Sequence, residues 1–201
     1  MSFDIAGAQK VLEDAGYTKG DDGIYQKDGQ RLSFTYHNAS GAPAQQMEAG
    51  MIQQWLLNLG VEILPKLATW PELTKRGQTG DFDLIQLSIT FPPDAYASMN
   101  ASFNSIMTAD KGTPTPGTNY FRFRDAKVDD LLAQAASITD PAEQKKVYDE
   151  LQQEIANNYI FLPMYSGGGH IPYYDGIVAT GWDTNYPVFA AQSLIKVTLL
   201  K

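Results

Sequence analysis

Two acidic pairs, Asp81 with Asp83 and Asp129 with Asp130, are the side chains of this chain best suited by type and spacing to do chemistry. Two carboxylates in mutual reach can divide general-acid and general-base work when their surroundings push their pKa values apart. Both pairs sit at the ends of periodic segments, where acids cap helices or face solvent, so catalysis is not the favoured reading. The only histidines, His37 and His170, are isolated, and there is no cysteine. The usual zinc constellations and thiol chemistry are therefore out of reach, and no metal or cofactor is expected. Ser166-Gly167-Gly168-Gly169 lacks the Lys-Ser/Thr that completes a phosphate-binding loop, and no G-x-S-x-G elbow occurs.

What remains is aromatic. Aromatic residues make up 11% of the chain, and Trp70, Phe91, Tyr96, Trp182 and Tyr186 stand beside turn-forming residues. Aromatic faces joined by a few placed polar groups suit a small-molecule cleft, since they supply contact area and orientation together. A net charge of -8 without a Lys/Arg cluster argues against a nucleic-acid partner. With 201 residues, 43% of them hydrophobic, the chain can bury one sizeable core. No apolar run is long enough to cross a bilayer, and Met1 to Gly7 has neither the basic start nor the apolar stretch of an export signal. For a protein that works outside the cell, that signal is expected in sequence not included here, and the chain is expected to be a fragment.

The elements that must position these residues follow from periodicity. Ile5, Ala8, Val11, Leu12 and Ala15 mark a helix from Asp4 to a stop at Gly16. Asp28-Gly29 predicts a hairpin joining Gly23–Gln26 to the alternating run Leu32–Tyr36. Met47, Met51, Ile52, Trp55, Leu56 and Leu59 predict a helix from near Ala42 to Gly60, leading into a strand at Val61–Leu64. Thr69-Trp70-Pro71-Glu72 is a capping box opening a helix that runs to about Gly77. Asp83–Thr90 reads as a buried strand, further helices start near Asp125 and Pro141, and Tyr159–Tyr165 reads as an edge or crossing strand. Thr108–Asn119 and Tyr165–Gly169 read as surface loops. The alternation predicts an α/β fold with a mixed sheet flanked by helices.

In that order and spacing the segments AQKVLEDAGY, DGIYQKDGQRLSFT, TWPELTKRGQTGDFDL and TDPAEQKKVYDELQQEIANNYIFLPMY resemble the C-terminal part of the family 5 extracellular solute-binding proteins, the dipeptide, oligopeptide and nickel group. The resemblance covers about residues 4 to 165, and the stretch holding VATGWDTNYP is similar to tails of members that bind sugars or remain unassigned. It implies a lobe of the periplasmic-binding-protein-like (type II) architecture. Residues 1–160 would be the second lobe of a two-lobed protein, and 161–201 a hinge-crossing strand and a segment packing on an absent N-terminal lobe. It further implies an extracytoplasmic place, in the periplasm or as a cell-surface lipoprotein. The partners implied are an ABC transporter permease and a small-molecule ligand, a peptide or an oligosaccharide.

The resemblance also puts ligand contacts at and after the end of the Leu84–Ile89 strand, so Ser88, Thr90, Phe91, Asp94 and Tyr96, together with Trp70, are the expected ligand-binding residues. Phe91 and Tyr96 would stack, and Thr90 and Asp94 would orient. Peptide-binding relatives carry an aspartate for the peptide's amino terminus at the position that aligns with Thr90. A threonine can hydrogen-bond an ammonium but cannot neutralise it, which raises a neutral oligosaccharide as the alternative ligand. The rival from another class is a hydrolase using Asp81 and Asp94.

Overall fold

The computed structural model describes residues 4–88 and 94–165, together with the backbone of two short strands at 178–180 and 198–199. Packing divides the chain into two compact units, Met1–Ile89 with Thr108–Pro116, and Thr90–Met107 with Gly117–Lys201.

The first unit opens with α1 (Ile5–Asp14), whose N-cap Asp4 accepts a hydrogen bond from the Gly7 N–H. Strands β1 (Thr18–Lys19), β2 (Tyr25–Lys27) and β3 (Gln30–Arg31) form a small antiparallel sheet in that order. Its β2–β3 turn is the expected Asp28-Gly29, both residues at positive φ (51° and 76°), as a two-residue turn matched to strand twist requires. The hairpin stops after Arg31. The alternating run that follows, β4 (Ser33–Ala39), belongs to a different sheet, where it pairs in parallel over its whole length with β5 (Glu62–Ala68) and over two residues with β6 (Leu84–Ile85). The expected parallel and antiparallel pairing is thus distributed over separate sheets, with strand order β5-β4-β6 in the parallel one.

The side-chain period of two gives β4 one face for each flanking helix. On one face Tyr36 packs with Ile63, Val61 and Ala49 of α2 (Pro43–Leu59). On the other, Ala39 packs with Ala68 and with the fully buried Leu73 of α3 (Trp70–Thr79). Pro65, which has no N–H to donate, is tolerated because β5 is the edge strand. Helix α3 starts as the capping box predicts, with the Thr69 N–H and hydroxyl both donating to Glu72 Oε2 at 2.7 Å, and it runs two residues past Gly77.

The strand expected over Asp83–Thr90 pairs only at Leu84–Ile85, apart from one further bond from Gln86 N–H to His37 O, and its end from Ile89 lies outside the described residues. Asp83 ends the pairing on the other side, because its carboxylate replaces a strand partner by accepting from the Thr35 N–H at 2.9 Å and hydroxyl at 2.6 Å. Those two bonds hold the Asp83 carboxyl below the usual aspartate range. A lowered folded value means stability present at neutral pH and lost as the pH falls past the unfolded value, about 3.9, towards the folded one. We therefore expect acid destabilisation of the first unit to be shallower in Asp83→Asn than in the parent, read from urea midpoints at neutral pH and below pH 4. Equal slopes would show that Asp83 carries none of it.

In the second unit α4 (Ala95–Phe103), a short 3-10 turn at Ser105–Met107, α5 (Ala126–Ser137) and α6 (Pro141–Asn157) surround a core of Phe103, Phe123, Val128, Leu131, Leu132, Leu151 and Ile155. Asp125 and Asp140 cap α5 and α6 as expected, each accepting from first-turn N–H groups. Helix α4 has no counterpart among the sequence expectations, since AYASMNASF carries no clean apolar stripe.

One expectation is corrected. Tyr159–Tyr165 forms no strand: Tyr159 stands at φ 53°, and Phe161 is held by ring packing against Phe121 and Phe103, with centroids 5.6 and 6.4 Å away. The segment Thr108–Asn119 is an irregular connection, exposed over much of its length as expected, and it is tied down at several points. The Gly112 and Thr115 N–H groups donate to Thr79 O and Gln78 O, and fully buried Asn119 bridges Asn104 O and the Phe123 backbone. The Tyr165–Gly169 loop falls outside the described residues after Tyr165, as do His170, Trp182 and Tyr186.

Candidate functional site

The strand order decides where the first unit can hold a ligand. Helix α2 carries the chain from β4 to β5 on one side, and α3 carries it back across β4 to β6, so the order of the strands reverses at β4. In open parallel sheets a crevice opens outside the carboxyl ends of the two strands at such a reversal, here β4 and β6. The residues there are polar. The Tyr36 hydroxyl donates to Gln86 Oε1 at 2.9 Å, and Gln86 Nε2 donates to Glu48 of α2 at 2.8 Å. Beside them, Asn38 Nδ2 makes a long bond of 3.4 Å to Gln45 O. Asn38 Oδ1 and Gln45 Oε1 are buried with no donor among the described residues.

Ser88, expected in the site, follows β6 at this end and is exposed. Trp70, the first residue of α3 in the same unit, is also exposed. Asp94 and Tyr96 belong to the second unit. Asp94 is the N-cap of α4, its Oδ1 accepting from the Ala97 N–H at 3.2 Å, and Tyr96, the second residue of the helix, is half-buried. The phenol of Tyr148 on α6 is pushed up by burial and by the nearby Asp94 and Tyr96. Thr90 and Phe91 lie outside the described residues. Asn38, Gln45 and Gln86 escaped the sequence reading, although polar residues inside the apolar strand runs SFTYHNA and DLIQL were a usable signal.

The two candidate acids of the hydrolase reading fall in different units, Asp81 in the first and Asp94 in the second. Each has a local structural partner, Arg76 for Asp81 and the α4 N-terminus for Asp94. No group of three or more His, Cys, Asp or Glu side chains able to hold a metal ion is found among the described residues.

A parallel sheet between helices, with a polar crevice at its strand-order reversal, makes this an α/β lobe, and its likeness to solved binding proteins makes the architecture periplasmic-binding-protein-like (type II). Residues 2–110 match the bacterial extracellular solute-binding proteins, family 5 middle region, and the chain belongs to that family. Among curated relatives it is 28% identical over 170 residues to the oligopeptide-binding protein AppA of Bacillus subtilis, covering 82% of this chain and 29% of AppA. It is 27% identical over 125 residues to di/tripeptide-binding protein 4 of Pseudomonas aeruginosa, covering 61% of this chain and 22% of the relative. The chain thus spans less than a third of these relatives' length.

Among solved structures, AppA in complex with a nonapeptide superposes with a TM-score of 0.67 at 27% identity, over 79% of this chain and 31% of that one. A mannohexaose-bound periplasmic oligopeptide-binding protein of Thermotoga maritima superposes with a TM-score of 0.80 at 18% identity, over 99% and 40%. The family is described as extracellular, and these relatives are named as binding proteins, not as enzymes.

Proposed function

We propose that this chain is part of the substrate-binding component of an ABC importer, which captures a peptide or similar small solute outside the cytoplasm, as a periplasmic or lipid-anchored protein, and presents it to a membrane permease. Family membership carries the reading, and the polar crevice at the carboxyl ends of β4 and β6 supports it. The chain then works by holding and releasing, with no bond made or broken. Residues 1–160 act as one lobe and 161–201 as hinge and packing segment against an N-terminal lobe, with closure of the two lobes enclosing the ligand. Ser88, Thr90, Phe91, Asp94, Tyr96 and Trp70 form this lobe's share of the contacts.

A neutral oligosaccharide is the second reading, and two observations favour it. Thr90 stands where the resemblance expects an aspartate. The crevice lining also buries two amide acceptors, Asn38 Oδ1 and Gln45 Oε1, that have no donor among the described residues, and hydroxyl groups are donors suited to such acceptors. Mass spectrometry of small molecules released on denaturing the full-length protein separates the two. A released peptide favours the first and a released oligosaccharide the second, while no co-purifying solute and no binding of either class would sink both.

In the full-length protein, Phe91→Ala and Tyr96→Ala should each weaken binding by about 1–3 kcal/mol, the worth of a buried contact aromatic. Unchanged binding with a lower melting temperature would make them packing residues. The 201-residue chain alone should bind far more weakly, because half a cleft buries only part of a solute.

A further inference from the structure

The opposite face of the parallel sheet, under α3, holds a pocket of about 320 Å³ lined by Thr35 and His37 of β4, Lys66, Leu67 and Ala68 of β5, and Glu72 and Arg76 of α3. It lies wholly within the first unit. Its floor is unfinished chemically. His37 is 9% exposed, and its Nδ1 is buried without a partner among the described residues. Lys66 stands beside His37 in the strand register, and no acid pairs with it among the described residues. Arg76 is already answered by Asp81, to which Nη1 donates. Glu72 spends Oε2 on the Thr69 N–H and hydroxyl, and no bond among the described residues takes Oε1.

We propose that this pocket binds a free α-amino acid. The volume is at the lower end for a small-molecule site. The charges left over on its walls are one unanswered ammonium and one carboxylate with an open oxygen, the complement of a zwitterion. The ligand carboxylate accepts from the Lys66 ammonium and from His37 with its proton on Nδ1. The ligand ammonium donates to Glu72 Oε1. A bare anion gains only the first half of this, and a dianion such as phosphate meets Glu72 unfavourably. Burial holds the His37 imidazole below its usual range, with Arg76 and Lys66 lowering it further and Asp81 and Asp83 opposing them. The pocket shares no lining residue with the solute contacts proposed above, so the proposal does not depend on which solute the full-length protein carries.

The chain holds only two histidines, so NMR of the ring carbons reads the site directly, with His170→Gln assigning the signals. L-alanine should shift the His37 resonance saturably at millimolar concentration, with acetate and methylamine each at least several-fold weaker. Lys66→Gln should weaken L-alanine about tenfold, the loss of one charge-assisted bond. Glu72→Gln, which keeps the helix cap because glutamine also serves there, should abolish the preference for L-alanine over acetate. A shift that does not saturate, acetate binding as tightly as L-alanine, or L-alanine binding unchanged in Lys66→Gln would each overturn the proposal. A full-length protein that delivers no solute at all would leave this titration unaffected, so the two readings fail separately.

Discussion

Replacing Leu132 by alanine should destabilise the second unit by about 2–5 kcal/mol, the range for truncating a fully enclosed leucine. Leu132 is 0% exposed on α5, in the cluster with Val128, Leu131, Leu151, Ile155, Phe103 and Phe123. The loss has two parts, the transfer free energy of the missing methyl groups and the cavity that helices α5 and α6 cannot close without losing contacts elsewhere. Leu162→Ala is the control: Leu162 is 74% exposed and its truncation should lie within about 0.5 kcal/mol of the parent. Because the chain packs as two units, a single two-state transition is not assumed. Native-state hydrogen exchange of the α5 and α6 amides reports the second unit directly. A Leu132→Ala cost below about 1 kcal/mol would mean that this cluster does not set the unit's stability.

Gly60→Ala should be nearly as damaging to the first unit, at about 2–4 kcal/mol. Gly60 closes α2 at φ 102°, a left-handed conformation costing a residue with a Cβ about 1–2 kcal/mol. A Cβ there would also lie 2.9 Å from both the Gly23 carbonyl oxygen and the Tyr25 ring. Neither neighbour yields readily. Gly23 O is backbone, and Tyr25 is 1% exposed, with its N–H donating to Gly60 O at 2.8 Å and its hydroxyl to Glu13 at 2.9 Å. Forced overpacking of this kind adds about 1–3 kcal/mol. Gly29→Ala separates the two costs, because Gly29 also has positive φ, 76°, but nothing lies within 4 Å of its would-be Cβ. Urea midpoints followed by the fluorescence of Trp55 and Trp70 should show Gly60→Ala clearly below Gly29→Ala. Equal midpoints would refute the close approach of α2 to β2.

How much of this was legible depended on the range of the cause. Asp4, Asp125 and Asp140 announce helix starts because their carboxylates accept from N–H groups two or three residues on, and Thr69 does so because its own N–H and hydroxyl both donate to Glu72, three residues on. Asp28-Gly29 announces its turn because the demand for positive φ is local to those two residues. Helix α4 was illegible for the complementary reason. Its cap, Asp94, is a plain helix-start signal, but AYASMNASF lacks a periodic stripe, and the acid was read as a ligand group. The family resemblance carried the fold class and the membership, since it rests on the order and spacing of many local signals at once.

Strand partners lay beyond the sequence. The run Leu32–Tyr36 alternates equally well as the second arm of a hairpin or as the centre of a parallel sheet. What decided between them was burial of Tyr36 against α2 and of Ala39 against α3, contacts made with residues far along the chain. The candidate sites followed from that choice. Asn38 meets Gln45 while Tyr36 reaches Gln86 and through it Glu48, and His37 meets Lys66, only because β4 lies between β5 and β6 in one register. A slip of one residue would turn each side chain to the other face. The sequence by itself determined where helices begin, where the hairpin turns and which family the segments resemble, because capping, turn strain and periodicity act over a few residues. Only the tertiary structure decided which polar groups share a pocket, because that depends on strand order and register, set by burial summed over the whole sheet.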